Sequence, residues 1–130
     1  YANVVIDYLD PQKKFIKHRL YREHCICNED GLYIKDLRVI NRDMKDMILV
    51  DNAFYSFAYQ INNGLPILPF YYEKNDTELN DLTDFLKEIH RIPDVRDEIK
   101  KRFRMDWWGE FENPLDIVNR VFSDILPYIR

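Results

Sequence analysis

The chain has 130 residues, 19 basic and 23 acidic side chains, a formal charge of −4, and three glycines. Gly31, Gly64 and Gly109 stand too far apart for a G-x-G-x-x-G or G-x-x-x-x-G-K-[ST] loop, which excludes a Rossmann dinucleotide site and a P-loop. The acidic balance argues against direct nucleic-acid binding, no apolar run approaches the ~18 residues of a membrane span, and no basic start leads into an apolar signal core; with 46% hydrophobic residues, one soluble packed domain or a piece of one is expected.

Val4, Val5, Tyr8 and Leu9 recur at helical spacing and Pro11 stops the run, which predicts a helix over residues 2–9. The basic stretch of residues 13–19 reads as a solvated strand edge blunted by lysine. Alternation over residues 15–23, followed by residues 25–34 with Asn28-Glu29-Asp30-Gly31 as a turn, predicts a short hairpin. Cys25 and Cys27 fall on one face of such a strand, too close for an unstrained disulfide, and with His24 they lack the fourth ligand that zinc needs. Two buried reduced thiols in a reducing compartment are expected.

Residues 47–50 form a continuous apolar run, the pattern of a parallel strand covered on both faces, and they end at Asp51-Asn52. Residues 65–68 predict a second buried strand, with Pro66 marking an edge or a strand start. Asp76 is a plausible N-cap for a helix whose apolar face is Leu79, Leu82, Phe85, Leu86 and Ile89. Pro93 fits the first turn of another helix through about Lys101, and Asn113-Pro114 repeats the signal for a last one with the stripe Leu115, Val118, Phe122 and Ile125. Strands separated by helices predict an α/β fold.

Ligands of open α/β sheets bind at the carboxyl ends of the strands, so the polar pair that ends an apolar strand is the first place to look for chemistry. Asp51 and Asn52 offer two hard oxygen donors suited to magnesium, and Lys35 is a candidate point charge for a phosphoryl group.

Five motifs then combine in order: Tyr21-Arg22-Glu23-His24-Cys25, Gly31-Leu32-Tyr33-Ile34-Lys35-Asp36-Leu37, Ile48-Leu49-Val50-Asp51-Asn52, Asn63-Gly64-Leu65-Pro66-Ile67 and Asn75-Asp76-Thr77-Glu78-Leu79. From Tyr1 to about Phe103 the chain resembles the second half of the FCP1/SCP-type phosphatases, the NLI-interacting-factor-like and dullard-like enzymes of the haloacid dehalogenase superfamily. These dephosphorylate serine in the RNA polymerase II C-terminal domain and in other phosphoproteins. The resemblance implies a Rossmannoid three-layer fold around a mostly parallel sheet, here lacking its N-terminal strands. It divides the chain into a phosphatase-domain portion, 1–103, and an aromatic-rich helical extension, 104–130.

The resemblance further implies a magnesium-dependent protein serine/threonine phosphatase that passes through an aspartyl phosphate. Lys35 matches the lysine that neutralises the transferring phosphoryl group, Asn52 a direct magnesium ligand, and Asp51 the acidic partner of Lys35 and of metal-bound water. Tyr71 and Tyr72 border the family's substrate groove and are candidates to stack on a peptide proline. The sequence also departs from the pattern. No two aspartates stand two positions apart, so the D-x-D nucleophile motif is absent; Ala53-Phe54 replaces the usual Ser-Pro, and Pro69-Phe70-Tyr71 replaces the region of the usual Trp. The nucleophile is therefore expected from upstream sequence, the N-terminal half of the same domain is an expected partner, and this segment alone is expected to be inactive. The alternative is a non-catalytic Tim50-like binding subunit in a larger assembly, which moves the implied location from nucleus or cytoplasm to mitochondria. Trp107 and Trp108 either anchor a protein partner or fold back over their own domain.

Overall fold

The computed structural model describes residues 1–103; Trp107, Trp108 and the helix expected after Asn113-Pro114 lie outside the described residues. Helix α1, Ala2–Leu9, forms where the apolar spacing predicts it, and Asp10 closes it with an N–H donated to the Ile6 carbonyl at 2.8 Å. The Asp10 carboxylate is buried and accepts the amides of Lys14 (2.9 Å), Phe15 (2.9 Å) and Ile16 (2.8 Å). These bonds, the one from Ile16 foremost, hold its carboxyl below the usual aspartate range.

That cluster explains the first correction. Amides committed to Asp10 are lost to any sheet ladder, and Lys13 turns through φ 51, so residues 13–19 form no strand edge. Residues 15–23 likewise contain no strand, and their end is the 3-10 turn Arg22–His24, where the Tyr21 amide donates to His24 Nδ1 at 2.9 Å. The hairpin is shorter than expected and lies wholly within residues 25–34. Strand β1, Ile26–Cys27, pairs antiparallel with β2, Tyr33–Ile34, in the register Ile26↔Ile34 and Cys27↔Tyr33. Its turn is the expected one: the Leu32 amide donates to Asn28 Oδ1 at 2.8 Å, and Gly31 takes the left-handed φ of 78° that glycine adopts without a steric cost. Both β1 residues are exposed on this two-residue ribbon, so Cys27 is exposed and Cys25 half-buried, where buried thiols are expected; both are free.

Strand β3, Leu49–Asp51, runs parallel to β4, Gly64–Pro66, with Leu49↔Gly64, Val50↔Leu65 and Asp51↔Pro66 paired. All three β4 residues are buried, as expected, but β3 buries only Leu49 and leaves Val50 36% exposed. Double coverage therefore fails for β3, because among the described residues nothing closes the Val50 side. Strand β4 covers residues 64–66, not the expected 65–68, and Pro66 ends it instead of starting it, on an edge strand of a two-stranded sheet among the described residues, as the other alternative had it. The next amide, Ile67, donates to the Asp51 carbonyl at 3.3 Å, so the ladder passes over the residue that has no N–H.

The strands are joined by a kinked helical segment, Phe54–Asn63, broken at Phe57 (φ −113°, ψ 23°) and Gln60 (φ −147°, ψ 61°). Phe57 is fully buried and meets Phe54 edge-on, ring centroids 5.5 Å apart. A Cβ at Gly64 would lie 2.1 Å from the Phe57 ring, so β4 can start against that ring only with glycine. Asn63, 2% exposed, donates to the carbonyls of Met44 (2.6 Å) and Met47 (2.7 Å) and ties the 3-10 turn Met44–Asp46 to the residues entering β3.

Helix α2, Glu78–Ile89, and helix α3, Val95–Phe103, complete the described chain. Asp76 does accept the Glu78 amide (3.0 Å), though the helix boundary falls at Thr77. Phe85 and Ile89 are buried and Leu82 and Leu86 half-buried, but Leu79 is exposed, contrary to the expected stripe. In α3 the residues Val95, Ile99 and Phe103 are buried, with Phe103 edge-on to Phe85 at 5.9 Å. The architecture is mixed α/β, and among the described residues it has two two-stranded sheets, β1-β2 antiparallel and β3-β4 parallel.

Candidate functional site

Lys35 directly follows β2, and Asp51 is the last residue of β3. Sixteen residues separate them in sequence, yet the Lys35 ammonium donates to Asp51 Oδ2 in an ion pair at the carboxyl end of the parallel sheet. The Asp51 side chain is 10% exposed and that of Lys35 48%. Asp51 Oδ1 accepts the Ala53 amide at 2.9 Å, so a local turn orients the carboxylate and the carboxylate orients the lysine. An ammonium has three donors and no acceptor, and its exposure leaves room for an anionic group alongside Asp51.

The backbone around Lys35 is anchored as firmly as its side chain. The Lys35 amide donates to the Ser56 carbonyl at 2.7 Å. Gln60 Nε2 donates to the Lys35 carbonyl at 2.6 Å, and Gln60 Oε1 accepts the Leu37 amide at 3.2 Å. Next in sequence, Asp36 caps the 3-10 turn Leu37–Ile40 by accepting the Arg38 amide at 3.0 Å. The Arg38 guanidinium returns a two-pronged contact to Asp36 at 2.8 and 2.7 Å and lies over the Tyr59 ring, 5.5 Å from its centroid. That contact, before all else, lowers the Asp36 carboxyl from its ordinary value.

Of the residues singled out by sequence, Lys35 and Asp51 are brought together. Asn52 is the exposed residue immediately beyond, with its amide at the surface of the same turn. Asp51 and Asn52 carry hard oxygen donors, the chemistry magnesium prefers. No group of three or more His, Cys, Asp or Glu side chains is placed to hold a metal among the described residues. Tyr71 and Tyr72 stand on the loop after β4, 74% and 90% exposed, with Tyr72 in a left-handed conformation (φ 66°) and its ring 5.9 Å from that of Phe70. Sequence reasoning misses Gln60 and quotes Asn63 only as the head of a motif, without its buried bonds. Periodicity carries no sign of either role; for Gln60 the available signal is an uncharged amide set among the apolar residues of 54–61, where a polar side chain is buried only with partners.

The family model described as NLI interacting factor-like phosphatase matches residues 1–96. The chain belongs to the NLI interacting factor-like phosphatase family. It is 46% identical to the CTD small phosphatase-like protein 3 of Caenorhabditis elegans over 106 residues, covering 81% of this chain and 37% of that protein. It is 36% identical to the human carboxy-terminal domain RNA polymerase II polypeptide A small phosphatase 1, covering 73% and 36%, and 33% identical to the Danio rerio CTD nuclear envelope phosphatase 1B, covering 78% and 41%. The chain thus spans well under half the length of these family members. The resemblance carried by the five motifs is borne out, and no helix among the described residues is long and apolar enough to cross a membrane.

Proposed function

We propose that this chain is the C-terminal portion of a haloacid-dehalogenase-like, magnesium-dependent phosphoprotein serine/threonine phosphatase domain acting through an aspartyl phosphate, whose attacking carboxylate comes from sequence outside these 130 residues. The observation that carries the reading is the ion pair of Lys35 and Asp51 at the carboxyl end of β3. In this reading Asp51 holds one donor of the Lys35 ammonium and leaves the others to meet the phosphoryl oxygens as charge builds on them. Asn52 offers its amide oxygen to magnesium. Magnesium held there would supply the positive charge that lets an anionic nucleophile approach an anionic ester.

The exposed apolar face of α1, carried by Val4, Tyr8 and Leu9, and the exposed Val50 of β3 are each apolar surface that the N-terminal half of the same domain would cover. Tyr71 and Tyr72 present rings that suit an extended peptide substrate, and the name of the human relative points to the same class of substrate. A second reading, a non-catalytic binding subunit, is favoured by one observation, the lack of a D-x-D motif in this chain. That subunit could also use Trp107 and Trp108 as partner anchors.

One experiment decides between them. The full-length polypeptide is assayed on an aryl phosphate ester with and without magnesium. Lys35→Ala is expected to lower kcat by about 10²–10³-fold, the usual consequence of removing one preorganised charge from a transition state, and Asn52→Ala to raise the magnesium concentration needed for half-maximal rate. Equal rates in all three proteins would dismiss the roles of Lys35 and Asn52, and no turnover by the full-length polypeptide would dismiss the enzyme assignment.

A further inference from the structure

Gln60 is a long, uncharged side chain buried to 7% exposure at the second break of the Phe54–Asn63 segment. Both ends of its amide are used, and both partners are main-chain atoms flanking Asp36: the Lys35 carbonyl at 2.6 Å and the Leu37 N–H at 3.2 Å. The Lys35 N–H is bound to the same segment through the Ser56 carbonyl at 2.7 Å. Lys35 is therefore gripped on both of its peptide groups by one short stretch of chain. That stretch starts immediately after the turn that orients Asp51, since Ala53, which donates to Asp51, is its N-terminal neighbour.

We propose that Gln60 is a positioning residue for Lys35: its two hydrogen bonds set where the backbone of residues 35–37 stands, and so where the ammonium meets the reacting phosphoryl group. The inference rests on the phosphatase reading given above. A carboxamide suits the task because it combines a donor and an acceptor on one neutral head. An ionised carboxylate offers no donor for the Lys35 carbonyl, and an aliphatic side chain leaves both main-chain groups unsatisfied. Because Lys35 reaches its target along a flexible four-carbon stem, a shift of its backbone by a fraction of an ångström moves the charge away from the point where it is needed.

A double-mutant cycle tests this on the full-length polypeptide with magnesium and an aryl phosphate ester. Gln60→Met is expected to lower kcat about tenfold, a misplacement effect, with KM within about twofold of the parent. In a Lys35→Ala background the same change is expected to alter kcat less than about twofold, since there is no ammonium left to misplace. Gln60→Glu supplies a readout that folding alone does not move. Protonated, its carboxyl keeps both a donor and an acceptor; ionised, it loses the donor, so its kcat relative to the parent should fall as pH rises.

Equal losses from Gln60→Met in both backgrounds overturn the assignment while leaving Lys35 in its role. If Gln60→Met does not fold, a pH-independent ratio for Gln60→Glu overturns it instead. An unchanged kcat for Lys35→Ala alone removes the role of Lys35 and this inference with it, whereas no turnover by the parent removes the phosphatase reading itself.

Discussion

Helices α1 and α3 are both short and amphipathic, eight and nine residues long, and they end in opposite states. The apolar residues of α3, Val95, Ile99 and Phe103, are spaced four apart and all sink into the core formed by the kinked segment, the parallel strands and α2. The apolar stripe of α1 faces water: Val4 is 73% exposed, Tyr8 85% and Leu9 67%; Ile6 is half-buried and no residue of the helix is fully buried. What holds α1 is polar. Arg19 reaches Asp7 at 2.8 Å and Asn3 at 3.2 Å, and the Tyr21 hydroxyl also binds Asn3. The contrast teaches that an apolar stripe specifies the need for a partner, while the partner itself is supplied by the rest of the fold. Exposed charge pairs of this kind contribute little, so α1 is placed but weakly anchored.

Three substitutions sharpen or break that contrast, and the largest effect belongs to α3. Ile99→Ala removes a fully buried side chain and should lower the unfolding free energy of the 130-residue chain by about 2–5 kcal/mol in urea titrations. A loss below roughly 0.5 kcal/mol, the range of an ordinary surface change, would place α3 in the same class as α1.

Next comes the start of α3. The Arg96 guanidinium, bonded to the Asp94 carboxylate at 2.8 and 2.6 Å, holds that carboxyl down to about 2 from its ordinary 3.8. The folded state thus binds the proton less readily than the unfolded one. The pair's contribution is complete above about pH 4 and is lost as pH falls through about 2. The stability difference between the parent and Asp94→Asn should be small, because the pair is partly exposed and screened, and it should close between pH 4 and pH 2. A difference that stays constant across that interval would remove the ion pair as its source.

The smallest effect is expected in α1. Val4→Ser should change the stability of this chain by no more than about 0.5 kcal/mol. In the full-length polypeptide the same substitution should cost several times as much if the N-terminal half of the domain packs against this face. A large loss already in the 130-residue chain would mean that α1 has a partner within it.

The sequence carried much of the secondary structure. The spacing of Val4, Val5, Tyr8 and Leu9 marks α1, that of Phe85 and Ile89 marks α2, and the Asn28 to Gly31 turn marks the hairpin, because each depends on hydrogen bonds that close within a few residues. The strand expected over residues 15–23 fails because one buried carboxylate, Asp10, takes the amides needed for a ladder, and alternation of side chains does not reveal such competition. The site was half legible. Asp51 and Asn52 are conspicuous as the polar end of an apolar strand and Lys35 as part of a motif, but Gln60 is marked only by its place among apolar residues, which does not say what its amide binds.

By itself the sequence determined the family, the candidate charge and oxygen donors, and the positions of α1 and α2, since these are written in local order and spacing; α3 starts at Val95, beyond the expected Pro93, and the helical segment Phe54–Asn63 was not expected. Only the tertiary structure decided that Lys35 and Asp51 meet across sixteen residues, that Gln60 fastens the backbone beside them, and that α1 and Val50 stay open while Ile99 is enclosed. Burial and long-range pairing depend on which surfaces come together in space, and that outcome belongs to the whole assembly of elements, not to any one stretch of residues.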